Sequence, residues 1–286
     1  MSFVEDSVSI IIVTHNSLPL LRDCLDHLKA ATPDLDCEVV VVDNDSSDHS
    51  ASVARHVFGD AVVLANNRNL GFAVACNQGA AAASGEYLLF LNPDLLIDSD
   101  AIRMLKAAIT STEKAGAVTG RLRFPDGVFQ PNCRHFPTVS NLLFSRGSVF
   151  SRLLRRTSFY TLEDCAQARR VPAVAGTMLM VRSELFRALD GFDERFFMYM
   201  EDTDLCYRID RAGYANYYVP DAGAVHLWAQ GSRAGRVRRN RMHHLSVWKY
   251  FRKHRAGALS TYVLPIILPV NFILVTMFRS ASPGKR

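Results

Sequence analysis

Two runs of β-branched residues, separated by one helical stretch, constrain the fold of this chain most. Residues 8–13 read VSIIIV, and residues 39–42 are four consecutive valines. Continuous apolar runs of this length are typical of strands buried on both faces, as in parallel sheets. Between them, residues 19–30 carry leucines at helical spacing. The sequence therefore predicts a β-α-β start and an α/β fold with a mostly parallel central sheet flanked by helices.

Polar residues follow the predicted strands. Further strands are predicted at residues 61–64 and 87–91. The carboxyl ends of strands in an open α/β sheet meet at one edge, which is where such folds bind ligands. No G-x-G-x-x-G follows the first strand, which disfavours a dinucleotide-binding fold. The polar residues at these strand ends include Thr14, Asn16, Asp43, Asn92 and Asp94. The other predicted elements are helices at 73–83, 98–115 and 183–189 and strands at 117–119 and 173–182.

The side chains at this edge suit a nucleotide. Asp43 can accept the ring N–H that uracil and thymine offer and cytosine lacks, while Thr14 and Asn16 could bind ribose or base. Asp94 provides the oxygen ligand that Mg²⁺ or Mn²⁺ prefers when the ion bridges a diphosphate. An aspartate at a strand end is equally explained as a turn or cap residue.

An acidic pair follows an apolar run near the middle of the second half. Residues 196–200 read FFMYM and precede Glu201 and Asp202 at a predicted helix start. A carboxylate beside such an apolar wall can have its pKa raised into the working range of a general base. We therefore predict Asp202 to be a catalytic base, although both acids could merely cap the helix. Asp204 and Arg208 are spaced to form an i, i+4 ion pair.

Charge is distributed unevenly along the chain. The first 100 residues hold 15 acidic and 4 basic residues, and no acidic residue follows Asp221. Such a basic C-terminal part favours binding to phosphate groups, which could belong to a nucleotide, a nucleic acid or an anionic bilayer. The six cysteines form no C-x-x-C pair and the first residues lack signal-peptide features, so we expect a reducing, cytoplasmic compartment.

Residues 259–278 are a 20-residue stretch without charge. Its length allows a membrane span, but Pro265 and Pro269 would free backbone carbonyls that lipid cannot satisfy. We expect a kinked segment that lies in the bilayer face. Residues 141–160 mix apolar and arginine residues and suit either an amphipathic membrane-facing piece or a solvated basic helix. The expected organisation is a domain at 1–256, with a nucleotide-binding half to about residue 120, and a membrane-associating tail at 257–286.

Several segments, taken together, resemble a known family. They are VSIIIVTHN, VVVDNDSSD, NNRNLGFAVACNQG, LFLNPD, AGTMLMVR, GFDERFFMYMEDTDLCYRIDRAGY and VPDAGAVHLWAQGS. In this order, over residues 8–232, they resemble the family 2 glycosyltransferases, and within them the bacterial rhamnosyltransferase-like branch. The resemblance implies a GT-A fold, an inverting mechanism, a nucleotide-diphosphate sugar donor and a divalent metal, Mg²⁺ or Mn²⁺.

The resemblance also implies roles for individual residues. Asp202 matches the catalytic base, and Glu201 would orient it. His226 matches a late histidine that completes the metal site with Asp94. The usual Asp-x-Asp is Asn92-Pro93-Asp94 here, which leaves one metal carboxylate instead of two. Donor-binding positions carried over by the resemblance are Thr14, Asn16, Asp43, Asn69, Gly71, Asn77 and Asn92. Independently of the resemblance, residues 231–241 could form a mobile lid whose arginines contact the donor phosphates, or a disordered basic loop held at the membrane by charge.

These observations together predict a glycosyltransferase at the cytoplasmic face of the inner membrane, bound peripherally or monotopically. We expect it to move L-rhamnose from dTDP-rhamnose onto a polyprenyl-diphosphate-linked saccharide or a growing surface polysaccharide. A UDP-hexose donor is the alternative, because Asp43 does not distinguish thymine from uracil. The other alternative is a non-catalytic sugar-nucleotide-binding module. A nucleic-acid partner is not expected, because the acidic N-terminal half would repel a phosphate backbone.

Overall fold

A computed structural model describes residues 3–139, 141, 158–227, 235–255 and 259–278 of the chain. Its strands are β1 (Val4–Thr14), β2 (Cys37–Asn44), β3 (Val62–Asn66), β4 (Gly85–Leu91), β5 (Leu95–Ile97), β6 (Ala115–Arg123), β7 (Phe129–Gln130), β8 (Cys133–Arg134), β9 (Arg169–Val171), β10 (Ala173–Val174), β11 (Met178–Arg182) and β12 (Ala215–His226). Its helices are α1 (Leu18–Ala31), α2 (Ser50–Val57), α3 (Phe72–Ala82), α4 (Ala101–Ser111), α5 (Ser183–Ala188), α6 (Glu201–Arg211), α7 (Arg236–His254) and α8 (Leu259–Phe278).

The predicted β-α-β start forms one half of a large sheet. Strands β3, β2, β1 and β4 lie side by side in that order, and all three pairings are parallel. Successive strand residues point to opposite faces. Ile10 and Ile12 therefore pack into one apolar layer with α1 and α4, while Ile11 packs into the other with α3, α5 and α6. Burial on both faces explains why this strand is a continuous apolar run.

The second half of the sheet is mixed, so the prediction of a mostly parallel sheet was wrong there. Strand β11 runs antiparallel to both β4 and β6, and β5 runs antiparallel to β12. Strand β12 is parallel to β6. A continuous apolar run indicates burial on both faces, but strand direction depends on the connections between strands.

The predicted strand at residues 173–182 is broken into two. Strand β10 pairs with β8 in a separate two-stranded sheet, whereas β11 lies in the main sheet. The intervening residues, 175–177, include Gly176, whose backbone N–H faces a side chain of α6. Helix α4 is shorter than its predicted range of 98–115, because β6 already begins at Ala115. Most of the segment at 141–160, including 142–157, lies outside the described residues.

Helices α7 and α8 pack beside the sheet domain. Leu264 of α8 is buried with Tyr250 and Phe251 of α7 and with Phe196, which lies just before α6. Helix α8 continues through both of its prolines. Among the described residues, no helix is long and apolar enough to cross a membrane. The predicted bilayer contact and the domain boundary near residue 256 stay predictions.

Candidate active site

Strand ends form a cleft at one edge of the sheet. Thr14, the last residue of β1, is in register with Asp43 of β2, and β4 ends nearby at Leu91. The cleft has a volume of about 330 Å³. Its lining residues are Val13, Thr14, His15, Asn16, Ser17, Asn44, Asn69, Phe72, Asn92, Pro93, Asp94, Phe197, Met198, Arg238 and Met242. Five of the predicted site residues, Thr14, Asn16, Asn69, Asn92 and Asp94, therefore share one cavity.

The loops after β1 and β2 are joined by hydrogen bonds. The side-chain oxygen of Asn16 accepts hydrogen bonds from the backbone N–H and the hydroxyl of Ser47, at 2.8 and 3.0 Å. Asp43 is buried, and its Oδ1 accepts the backbone N–H of Ser46 at 2.9 Å. Asp43 thus does cap a turn, and it lies behind the cleft instead of among its lining residues. Its predicted contact with a pyrimidine ring stays a prediction.

The next two predicted donor residues shape the backbone beside the cleft. Gly71 has φ +91°, and a Cβ atom there would lie 2.6 Å from the backbone oxygen of Phe197. Glycine is therefore required at this position by the approach of the Phe197 backbone. Asn69 accepts the backbone N–H of Gly71 at 3.0 Å and the side-chain amide of Asn44 at 3.1 Å.

Asn77 joins two parts of the chain outside the cleft. Its amide nitrogen donates to the backbone oxygen of Phe192 at 2.8 Å, and its oxygen accepts the Phe192 N–H at 2.9 Å. The same amide nitrogen reaches Glu194 at 3.1 Å. The side chain thereby ties α3 to the loop before α6, and Asn77 is not among the residues lining the cleft.

The two predicted metal ligands lie side by side. Strand β5 pairs with β12 so that Leu95 is opposite His226, which brings Asp94 next to the imidazole. Atom Nε2 of His226 lies 3.2 Å from Asp94 Oδ1, a buried oxygen that accepts no well-aligned hydrogen bond. Atom Nδ1 lies 3.0 Å from the side-chain oxygen of Gln130, which selects the tautomer with its proton on Nδ1.

This pair suits a divalent cation. In that tautomer, Nε2 and the carboxylate oxygen direct lone pairs at each other, an arrangement that a cation between or beside them stabilises. One carboxylate and one imidazole are too few to enclose an ion, and no group of three or more such ligands occurs among the described residues. Mg²⁺ and Mn²⁺ sites of this kind complete their coordination with water and substrate phosphates. Asp94 and His226 therefore fit a site that bridges to a diphosphate.

The acidic pair opens α6 after two residues in an unusual conformation. Tyr199 and Met200 have φ values of 70° and 71°, in the left-handed region that bulky side chains rarely adopt. Burial, followed by the neighbouring Asp202 charge, raises the pKa of Glu201 to about 8. The raised pKa predicted for a carboxylate beside the apolar run therefore belongs to Glu201.

Asp202 is buried, is not among the residues that line the cleft, and lies in a polar set of contacts. Its Oδ2 accepts the backbone N–H of Gly176 at 3.0 Å and lies 2.5 Å from Nη2 of Arg134. Its Oδ1 accepts the backbone N–H of Thr203 at 2.6 Å. A Cβ atom on Gly176 would lie 3.3 Å from Asp202 Cβ and 3.7 Å from the ring of the cleft residue Phe72.

Helix α7 covers the open side of the site. Arg238 and Met242 line the cleft, and the following residue, His243, packs its ring on Tyr199 with centroids 5.7 Å apart. Loss of hydration, together with the positive charges of His244 and Arg134, lowers the pKa of His243, although part of its ring is accessible to solvent. Residues 236–241 of the predicted mobile lid are thus the first turns of a helix, and residues 231–234 lie outside the described chain.

Buried ion pairs attach α7 to α6. Asp204 is fully buried and lies 2.8 Å from Arg208 Nε, which confirms the predicted i, i+4 pair. It also lies 2.7 Å from Lys253 Nζ and 2.7 Å from His254 Nε2, both near the end of α7. The pKa of Asp204 is lowered because these partners outweigh the effect of burial. The helix that supplies Arg238 to the cleft is therefore fixed to the helix that supplies Asp202.

Comparison with known proteins is consistent with this architecture. The model of the family described as Glycosyl transferase family 2 matches residues 9–190, which is more than half of the chain. The chain belongs to glycosyl transferase family 2. The predicted activity of a nucleotide-sugar-dependent glycosyltransferase is thereby confirmed.

Two relatives and one solved structure extend the comparison. The chain is 29% identical to the N-acetylglucosaminyl-diphospho-decaprenol L-rhamnosyltransferase of Mycobacterium tuberculosis (strain CDC 1551 / Oshkosh), over 89% of this chain and 87% of the relative. It is 28% identical to the rhamnosyltransferase WbbL of Escherichia coli (strain K12), over 87% and 94%. The mannosyltransferase PcManGT of Pyrobaculum calidifontis, solved with GDP-Man and Mn²⁺, has a TM-score of 0.60 at 21% identity, over 97% and 76%. This last likeness shows a shared α/β fold.

Three residues of this family 2 site were missed by reasoning from the sequence. Arg134 and Gln130 belong to a segment where neither helical nor strand periodicity is evident, and His243 belongs to a helix whose position depends on buried ion pairs. Each reaches the site only through tertiary packing. The sequence signal that could have indicated Arg134 is a lone arginine beside Asn132 and Cys133, which does not by itself point to a carboxylate on another element.

Proposed function

We propose that the chain transfers L-rhamnose from dTDP-rhamnose, with inversion, to a saccharide carried on a polyprenyl diphosphate or to a growing surface polysaccharide. Both curated relatives above are named as rhamnosyltransferases, and one of them is named for a diphospho-decaprenol acceptor. The observation that carries the proposal is that Gly176 lies against both Asp202 and Phe72, a residue that lines the cleft containing Asp94. A base and a diphosphate site must be neighbours for a single displacement at the anomeric carbon.

The donor would occupy the cleft at the strand ends. Thr14 and Asn16 would contact the nucleoside, and Asp43, behind the cleft wall, would accept the ring N–H of its base. Asn69 and Asn92, on two separate loops, would contact the diphosphate and the sugar. Arg238 brings a positive charge to the same cavity, where it would contact phosphate oxygens. Gly71 and Asn77 would support the cleft walls, since their contacts are with the protein backbone.

Asp94 and His226 would hold Mg²⁺ or Mn²⁺ against the diphosphate. A bound ion of this kind neutralises charge that develops on the leaving diphosphate. Gln130 would keep Nε2 of the imidazole available through its contact with Nδ1.

Asp202 would act as the general base. It would accept the proton of an acceptor hydroxyl as that oxygen forms a bond to the anomeric carbon, while the bond from that carbon to the diphosphate oxygen breaks. The leaving diphosphate takes the bonding electron pair, and attack from the opposite side inverts the configuration. Glu201, whose pKa is about 8, is mainly uncharged at neutral pH and would leave Asp202 as the anionic member of the pair.

A donor panel tests this proposal. Purified protein with Mn²⁺ would be incubated with dTDP-rhamnose or UDP-hexoses and a lipid-diphosphate saccharide, and product would be separated by mass. We expect transfer from dTDP-rhamnose and a loss of at least about 10²-fold in Asp202→Asn, with donor binding retained. Asp210→Asn is the matched control, because Asp210 lies on the same helix and pairs with Arg170 at the surface. If transfer occurs only from UDP-hexoses, the donor is a UDP-hexose instead of dTDP-rhamnose. Tight donor binding without turnover would favour a non-catalytic binding module.

We further propose that α8 rests on the cytoplasmic face of the inner membrane. Tyr262, Ile266, Val270 and Ile273 are all more than half exposed and recur at helical spacing on one face. Vesicle flotation tests this placement. Ile266→Asp with Val270→Asp should reduce flotation with anionic vesicles, whereas Val128→Asp, at an equally exposed apolar residue of the sheet domain, should not. Equal flotation of all three proteins would refute the placement.

A further inference from the structure

Arg134 is a basic residue in direct contact with the candidate base. Its strand, β8, is held by β10, with Arg134 opposite Ala173. The N–H of Gly176, two residues beyond β10, also reaches Asp202. The guanidinium lies 2.5 Å from Asp202 Oδ2. The two-stranded sheet therefore presents both a backbone donor and a positive charge to the same carboxylate.

The contacts of Asp202 are those of an anion that is already satisfied. Gly176 and Arg134 occupy Oδ2, and Thr203 occupies Oδ1 with its backbone N–H and its hydroxyl. For Asp202 to take a proton from an acceptor hydroxyl, at least the contact on Oδ2 has to be released.

Arg134 is the contact that can be released. Gly176 and Thr203 donate from the backbone and are fixed by the fold, whereas an arginine side chain has several rotatable bonds and five N–H donors. Arg134 Nε and Nη2 are buried and make no well-aligned hydrogen bond, so Nη2 contacts Asp202 as an ion pair and the guanidinium keeps donor capacity for another anion. About a fifth of its side chain is accessible to solvent. The Arg134 guanidinium could therefore leave the Asp202 carboxylate and bind another anion.

Arg134 brings a positive charge into direct contact with Asp202. Burial raises the pKa of Glu201 to about 8, so Glu201 is mainly protonated at neutral pH and adds little negative charge beside Arg134. An arginine fork matches phosphate oxygens as well as it matches a carboxylate.

Resting on the proposed function, we propose that Arg134 recognises the phosphate of a diphosphate-linked acceptor, and that its movement from Asp202 to this phosphate releases the base. The acceptor's own charge then completes the active site. A neutral saccharide with the same attacked hydroxyl would leave Arg134 on Asp202 and would be a poor acceptor. The chain would thereby select lipid-diphosphate saccharides over neutral glycosides.

Two acceptors that differ only in charge test this inference. One carries a saccharide on a short isoprenoid diphosphate, and the other carries the same saccharide on a neutral alkyl chain of equal length. The dissociation constant of each is measured with the donor site filled by dTDP and Mn²⁺, and kcat/KM is measured with dTDP-rhamnose. The proteins are the wild type, Arg134→Gln and the control Arg170→Gln. Arg170 also pairs with a carboxylate of α6, at 2.8 Å, but at the surface.

For the diphosphate acceptor, we expect Arg134→Gln to raise the dissociation constant and to lower kcat/KM, each by about 10- to 100-fold. This is the range for a charge-assisted hydrogen bond, about 10- to 100-fold. The neutral glycoside should bind equally well and react as fast or faster, because the base is no longer paired. Arg170→Gln should match the wild type with both acceptors. If Arg134→Gln lowers kcat/KM by the same factor with both acceptors, the inference is overturned, and Arg134 only positions Asp202.

Folding and turnover are controlled separately. If Arg134→Gln does not show a wild-type circular dichroism spectrum, Arg134→Lys is used, since it keeps the charge and loses the fork. The lysine variant should then retain part of the preference for the diphosphate acceptor, and an unchanged preference would count against Arg134. If the wild type transfers rhamnose to neither acceptor, the proposed function fails, and the binding constants alone decide whether Arg134 recognises the diphosphate.

Discussion

Removing the buried carboxylate of Asp204 should destabilise the protein and detach α7. The side chain is fully buried and lies within 2.8 Å of the cationic nitrogens of Arg208 and Lys253 and of Nε2 of His254. Breaking a buried ion pair by removing one partner costs about 3–5 kcal/mol. Lys253 keeps a second carboxylate, Asp193, at 2.7 Å. We therefore expect Asp204→Asn to lower the free energy of unfolding by about 3 kcal/mol, the lower end of that range.

The assay is thermal and urea unfolding followed by circular dichroism. A loss of about 3 kcal/mol corresponds to a fall in Tm of roughly 6–12 °C for a chain somewhat longer than 250 residues. The matched control is Asp210→Asn on the same helix, whose surface pair with Arg170 is worth at most about 1 kcal/mol. Since α7 supplies Arg238 to the cleft, Asp204→Asn should also raise the KM for the donor.

The pH dependence gives this prediction a second test. The pKa of Asp204 is lowered in the folded protein, so its contribution is present above the unfolded value of 3.8 and is lost as pH falls through the folded pKa. The difference in stability between wild type and Asp204→Asn should therefore be full at pH 6–7 and shrink in acid below about pH 4. A variant with wild-type stability at neutral pH, or a difference that persists undiminished in acid, would refute the reasoning.

Three further predictions concern single residues near the site. Gly71→Ala should destabilise the protein by more than about 1 kcal/mol, because its Cβ would meet the Phe197 backbone; Gly127→Ala has a similar φ and open space around it, so it isolates the cost of the backbone angle alone. Gln130→Met should weaken Mn²⁺ binding, measured by calorimetry in the presence of dTDP, by about 10- to 100-fold, and unchanged binding would contradict the tautomer assignment. Burial raises the pKa of Glu201 to about 8, so its contribution is favourable below the unfolded value of 4.5 and is lost as pH rises toward 8. The Tm of Glu201→Gln, relative to that of the wild type, should therefore increase between pH 5 and pH 9. A difference in Tm that does not change with pH would contradict the assigned burial.

Much of the site could be predicted because its residues follow strands. Thr14 and Asp94 could be placed at one sheet edge from apolar runs alone, since a run of β-branched residues indicates a buried strand and the next polar residues mark its end. In the structure Thr14 lines the cleft and Asp94 faces His226. The contact of Thr14 with a nucleoside stays a prediction. The i, i+4 spacing of Asp204 and Arg208 likewise predicted a contact that depends only on helix geometry.

Predictions that depended on packing between distant segments were less complete. The apolar run before α6 indicated a carboxylate with a raised pKa, but the choice between adjacent acids depends on which side of the helix faces the core. Burial raises the pKa of Glu201, whereas Asp202 pairs with Arg134 on β8 and accepts the backbone N–H of Gly176 after β10. Adjacent helical residues differ by about 100° in direction. A local pattern could not decide between them.

The sequence by itself determined the β-α-β start, the positions where strands release polar residues, and the order of motifs that indicates a family 2 glycosyltransferase. The first two follow from local physical rules, in which periodicity reports which faces are buried, whereas the third rests on resemblance to a known family. Only the tertiary structure decided that the second half of the sheet is mixed, that His226 lies beside Asp94, and that Arg134 contacts Asp202. Those contacts join segments that are far apart in the chain, and apolar patterns specify that a face is buried without specifying which strand or helix covers it.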